Sequence, residues 1–234
     1  MVMKTCATPG SGLYMYLINY TIEPEGYTIY MHIMKPSDIE AKSFEIIGRE
    51  LGGRPFDKLQ EPVIKRVIHT TADFDYADNL CFSEDAITRA LTCIRGGACI
   101  VTDTQMAMAG INKAALKKQG CEIHCFMADA DVAEKAAEEG ITRAAVSMRK
   151  ASLIKEPVIF AVGNAPTALL ELERLIKQGC ISPGLIIGVP VGFVNVTESK
   201  DMIMKLDIPF IVAKGRKGGS NVAAAIVNAL LYMA

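Results

Sequence analysis

The sequence predicts an α/β protein: a three-layer, mostly parallel sheet with helices on both faces and additional helices ahead of it. Three observations predict this. From about residue 98 onward, short apolar runs alternate with longer stretches of helical period. Glycines and capping residues mark the boundaries between them. Hydrophobic residues make up 50% of the 234, enough for a large core.

The first 30 residues differ in composition from the rest. They hold five of the 7 tyrosines: Tyr14, Tyr16, Tyr20, Tyr27 and Tyr30. Two readings exist for residues 1–30: an accessory β-hairpin, or sequence upstream of a natural start at Met31. The second is preferred, so residues 31–234 are expected to form one domain. Ser37-Asp38-Ile39-Glu40 has capping-box spacing, with Ile39, Ile46, Ile47 and Leu51 turned inward and a stop at Gly52-Gly53. Pro62 fits the first turn of a second helix whose stripe is Val63, Ile64, Val67 and Ile68. Ser83, followed by Glu84 and Asp85, is expected to cap a third helix ending near Gly96-Gly97.

Five strands follow, over 98–101, 122–127, 158–162, 185–189 and 209–212. Helices fill the intervals, and the last is expected over 221–233. Strand–helix alternation of this kind makes a doubly wound, Rossmann-like sheet with right-handed crossovers. The order of its strands is not legible.

Composition narrows the partners. Lys and Arg number 25 against 26 Asp and Glu, a formal net charge of −1, which disfavours nucleic acid and anionic membrane. No apolar run approaches the ~18 residues of a membrane span. The 7 cysteines, mostly in apolar runs, suit reduced thiols in a cytoplasm rather than a disulfide framework.

In such sheets, ligands bind beyond the carboxyl ends of the strands. The strand-to-helix turns at residues 102–104, 163–167, 188–200 and 214–221 are therefore the candidate loops. Lys214-Gly215-Arg216-Lys217-Gly218-Gly219-Ser220 joins three cations to three glycines at a helix N-terminus. Close backbone approach and free N–H groups there suit a carboxylate or phosphate. A flexible connector with solvated charges is the alternative. Neither GxxxxGK[ST] nor GxGxxG is present, which lowers the case for a nucleotide. Gly188-Val189-Pro190-Val191-Gly192-Phe193 is an apolar wall, able to lie against a flat ring or simply to pack.

Three histidines exist. His32 is expected to be exposed, and His124 to sit in the core or on an edge strand; neither has enough neighbouring ligands for a metal site. His69 ends an amphipathic helix beside Thr70, Thr71, Asp73 and Asp75. It is either a proton donor with orienting partners or a structural histidine. Arg143 follows a turn into a helix, where it can grip a carboxylate or be a surface charge.

Taken in order, several segments resemble the precorrin-8X / cobalt-precorrin-8 methylmutase family from Met31 onward. They are Ile39-Glu40-Ala41-Lys42-Ser43-Phe44, Lys65-Arg66-Val67-Ile68-His69-Thr70-Thr71-Ala72-Asp73-Phe74-Asp75, Thr102-Asp103-Thr104 and Gly140-Ile141-Thr142-Arg143. Val162-Gly163-Asn164-Ala165-Pro166-Thr167-Ala168-Leu169, Gly188-Val189-Pro190-Val191-Gly192-Phe193-Val194, Glu198-Ser199-Lys200 and Gly215-Arg216-Lys217-Gly218-Gly219-Ser220 complete the set. The resemblance is closer to the cobalt-carrying branch. It implies migration of the ring C methyl from C-11 to C-12 of a corrin precursor in cobalamin biosynthesis, with His69 as the acid. It also implies a homodimer and no cofactor, any cobalt arriving inside the substrate. Arg143, Lys200, Arg216 and Lys217 become candidate partners of the ring's carboxylate arms. Ser43, Thr102 and Asn164 are neutral candidates, and Val189 and Phe193 candidate ring contacts. The rival readings are a nucleotide-dependent oxidoreductase and a non-catalytic corrinoid carrier.

Overall fold

The computed structural model describes residues 3–6, 15–19, 28–32 and 35–234. It divides into two compact units, Met1–Gly53 and Arg54–Ala234. In the first unit, β1 (Met3–Cys6), β2 (Met15–Asn19) and β3 (Thr28–His32) form an antiparallel sheet in that order, followed by α1 (Pro36–Glu50). Strands therefore occupy the described parts of the tyrosine-rich segment, and the boundary between units falls at Gly53, after α1. The side chain of His32 lies outside the described residues. Helix α1 starts one residue ahead of the expected cap: Pro36 sits in its first turn and Lys35 at the N-cap, with no side-chain cap bond. Ile47 is buried, whereas Ile39 is exposed rather than inward.

The second unit carries the six-stranded sheet. Helix α2 (Gln60–Thr71) buries Val63, Ile64, Val67 and Ile68, the stripe its periodicity specifies. It ends at Ala72, which adopts the left-handed conformation (φ 53°) uncommon for a residue with a Cβ. A short α3 (Tyr76–Asn79) leads into β4 (Leu80–Phe82), then α4 (Ala86–Arg95). Ser83 does not cap α4; its hydroxyl accepts the Phe210 N–H at 2.9 Å, and Asp85 occupies the N-cap position.

The alternating part follows: β5 (Cys99–Thr102), α5 (Gln105–Gly110), α6 (Lys113–Lys118), β6 (Glu122–His124), α7 (Ala130–Glu139) and α8 (Arg143–Ala151). Next come β7 (Val158–Val162), α9 (Pro166–Lys177), β8 (Leu185–Gly188), α10 (Val196–Ile203), β9 (Phe210–Ala213) and α11 (Ser220–Met233). Strand β6 is shorter than expected, because a 3-10 turn at Phe126–Ala128 takes its end.

The strand order is β4-β9-β8-β7-β5-β6, parallel except for β4. The five parallel strands thus run 2-1-3-4-5 in chain order, a doubly wound arrangement. Helix α11 packs against α2, α4, α5 and α6 on one face, while α8 packs against α7 and α9, and α9 against α10, on the other. Strands β5, β7 and β8 are buried at every residue, as a parallel sheet covered on both faces requires. The cysteines at 81, 93, 99, 121, 125 and 180 are free thiols, and burial pushes the Cys99 thiol up to about 11.

Candidate active site at the carboxyl ends of the strands

A 2-1-3-4-5 order reverses direction between its first and third strands, and ligand crevices open there. In this chain that switch point falls at the carboxyl ends of β5 and β7. Its floor is Asp103, which is 0% exposed. One carboxylate oxygen accepts the Gly163 N–H at 2.8 Å; the other accepts those of Asn164 at 2.8 Å and Ala165 at 2.7 Å. Burial pushes this carboxyl's pKa up, and the amide donors oppose the rise. Thr104 caps α5 by accepting the Ala107 N–H at 3.0 Å, and its hydroxyl shares a 2.8 Å hydrogen bond with that of Ser220. Gly163 has no room for a side chain: a Cβ there would lie 2.7 Å from Ser220 Cα. The three strand-to-helix turns after β5, β7 and β9 are therefore locked together.

The turn after β8 is clasped to the glycine loop. Val189 donates its N–H to Val162 O at 2.9 Å and accepts the Gly219 N–H at 2.8 Å. The Lys200 ammonium, 0% exposed, donates to Gly215 O at 2.7 Å and Lys217 O at 2.8 Å. Both carbonyls point inward, so the intervening Arg216 side chain is left on the exposed side of the loop.

Burial lowers the Lys200 pKa to about 8 from 10.5. The unfolded chain therefore binds more protons than the folded one between those values. Stability should rise with pH across that window and lose this contribution as pH falls through 8. Urea unfolding at pH 7 to 10 should show the rise in the wild type and not in Lys200→Met.

The rim carries the accessible groups. The Thr142 hydroxyl caps α8 and donates to the Thr167 hydroxyl at 2.8 Å, which sets exposed Arg143 beside the turn that holds exposed Asn164. Phe193 is 82% exposed, with the Arg216 guanidinium 5.5 Å from its ring centre. Lys217 bridges Asp73 and Asp75, each at 2.6 Å. The two carboxylates hold its pKa well above the usual lysine range, and Lys217 lowers that of Asp73. This pair of bonds ties the segment just after α2 to the glycine loop. Arg66 of α2 stacks on Tyr232 at the far end of α11. The two helices therefore run antiparallel, and exposed His69, in the last turn of α2, lies toward the strand-end side.

The site residues inferred from sequence thus divide. Arg143, Asn164, Phe193 and Arg216 are presented at the rim. Thr102 is fully buried; its hydroxyl donates to Thr104 O at 3.1 Å and His124 O at 3.4 Å, so it fixes the strand end rather than facing a ligand. Val189 and Lys200 are likewise interior, and Lys217 already has two carboxylate partners. Ser43 belongs to the first unit, where its hydroxyl donates to Ile39 O at 2.9 Å. Asp103 was not among the expected residues; an acid ending an apolar strand between two threonines is the signal that marks it. His124 is on edge strand β6, stacked on Phe126 with ring centres 5.5 Å apart. A cavity of about 390 Å³ lies at the amino ends of the central strands β7 and β8, lined in part by Cys93, Phe160, Cys180 and Gly184, away from these groups.

Comparison with known proteins is consistent along the chain. A family model described as precorrin-8X methylmutase matches residues 38–233. The cobalt-precorrin-8 methylmutase of Priestia megaterium is 50% identical over 201 residues, covering 86% of this chain and 89% of that protein. Its counterpart in Salmonella typhimurium is 48% identical over 210 residues, covering 86% and 97%. The precorrin-8X methylmutase of Pseudomonas aeruginosa is 38% identical over 196 residues, covering 82% and 93%. Among solved structures, a precorrin-8x methyl mutase from Thermus thermophilus superposes with a TM-score of 0.77 at 39% identity, covering 83% of this chain and 96% of that one.

Proposed function

The chain belongs to the precorrin-8X methylmutase family and is an isomerase, and from that premise we propose that it moves the ring C methyl of cobalt-precorrin-8 from C-11 to C-12, with His69 as the acid. The two relatives of higher identity reported above carry the cobalt name, which supports the metal-bearing substrate. The cobalt is then part of the substrate. The observation that carries the reading is the pair of hydrogen bonds that Lys217 donates to Asp73 and Asp75, which joins the His69 segment to the cationic loop.

The chemistry asks little of the protein beyond positioning. One carbon–methyl bond breaks as its neighbour forms, and no electrons leave the molecule, so no redox partner is required. A proton or hydrogen bond delivered to a ring nitrogen draws electron density from the π-system and eases the shift. Arg143 and Arg216 supply the grip on acidic arms at the rim, since guanidinium pairs with carboxylate through two parallel bonds. Phe193 offers an apolar face to the ring. Incubation with precorrin-8 and cobalt-precorrin-8, followed by NMR location of the migrating methyl, tests the proposal; an unmoved methyl in both would refute it.

Arg216→Ala should raise KM by roughly 10- to 100-fold with little change in kcat, as expected for loss of one charge-assisted contact. Steady-state kinetics check this, and an unchanged KM removes the loop from the binding surface. The family resemblance also supports a cytoplasmic homodimer; light scattering should give twice the chain mass. No helix among the described residues is long and apolar enough to cross a membrane.

A further inference from the structure

We propose that Asp103 is a built-in anion that fills the cradle where a doubly wound sheet would otherwise bind phosphate, and so sets the crevice against phosphorylated ligands. In such folds the turn after a strand at the switch point offers free N–H groups at a helix N-terminus, and these hold a ligand's phosphate. Here that turn is Gly163-Asn164-Ala165 ahead of α9. All three N–H groups already point at the Asp103 carboxylate, at 2.8, 2.8 and 2.7 Å. The carboxylate is fully buried, so it is not a surface group that swings aside. Gly163 lies against the Gly219-Ser220 backbone, with no space for an entering anion on that side.

Two consequences follow. A phosphate would have to displace a fixed negative charge at close range in a dry environment, which is unfavourable on both charge and donor grounds. Acidic arms of a substrate are likewise turned away from the α9 N-terminus and toward the exposed guanidiniums of Arg143 and Arg216 at the rim. Asp103 is thus a positioning and selectivity residue that need not touch the substrate. The inference goes beyond the methyl-transfer reading and does not depend on which corrinoid is turned over.

The test has two arms on the full chain. In the wild type, titration with inorganic phosphate should leave the amide NMR signals of Gly163, Asn164 and Ala165 in place. Saturable movement of those three signals overturns the proposal. Asp103→Gly opens the cradle and should lower Tm by roughly 10 °C. Formate or inorganic phosphate should restore part of that loss saturably, beyond a chloride control of equal ionic strength. Identical anion responses in wild type and variant also overturn it. If Asp103→Gly does not fold, Asp103→Ser is measured in the same way, and the wild-type arm decides independently.

Discussion

Replacing His69 by alanine should cut turnover by about 10²–10⁴-fold while product binding stays within a few-fold of wild type. The size of the effect is that of one well-placed proton donor. An imidazole gives and takes a proton near neutral pH, which few side chains do. The location is constrained by its surroundings. Left-handed Ala72 ends α2 directly after the threonines, and the chain turns there. The Thr71 hydroxyl accepts the Asp73 N–H at 3.3 Å, and an Asp73 carboxylate oxygen accepts the Asp75 N–H at 3.0 Å. Lys217 then holds both carboxylates. An exposed ion pair of this kind adds little to global stability, but it fixes where the end of α2 lies relative to the glycine loop. Single-turnover conversion, with the methyl located by NMR, gives the rate; absorbance titration with product gives the affinity. Turnover close to wild type would remove His69 as the acid and leave the family membership untouched.

Much of the second unit was legible because its determinants are local. The run over Val158–Val162 is a strand buried at every residue, bounded as its composition indicates. Gly179, with φ 69°, lies just beyond the end of α9, as a left-handed stop should. What escaped depends on distant partners. Strand β4 is three residues long, too short for a pattern, and is defined by antiparallel pairing with β9 more than 120 residues later, for example Leu80 with Ala213. Ser83 has the chemistry of a helix cap, yet Phe210 claims its hydroxyl. Strand order is set by which crossover lies on which face, and no residue encodes that alone.

The site divides along the same line. Residue type located the loops but not the direction each side chain takes. Lys200, Arg216 and Lys217 are all cations near the same turn, yet one is an interior clasp, one is exposed and one is neutralised by two aspartates. Asp103 reads in sequence as turn chemistry, because an aspartate between threonines is ordinary there. Only the arrival of the turn at Gly163, some sixty positions along the chain, makes it the floor of the crevice.

The largest stability effect is expected at Gly218. Its φ is 159°, outside the range a side chain adopts readily. A Cβ there would overlap the carbonyl oxygen of Val189 and approach that of Pro190 to 2.8 Å. Both are backbone atoms, so no rotamer change relieves the contact. Gly218→Ala must instead push the loop off the turn after β8, which breaks the Gly219 N–H to Val189 O bond. It also strains the carbonyls that Lys200 holds. A cost of about 4 kcal/mol or more is expected, in the range of the most damaging single substitutions. The neighbouring Gly215 separates conformation from crowding: its φ is 81°, but nothing lies within 4 Å of a Cβ. Gly215→Ala should therefore cost only about 1 kcal/mol, the ordinary penalty for a left-handed alanine. Chemical denaturation of both variants, with substrate KM on whichever folds, tests the contrast. Equal losses in the two would show that backbone angle alone governs the loop. A much larger loss at Gly218 would identify close approach of two backbones as what shapes the cationic rim.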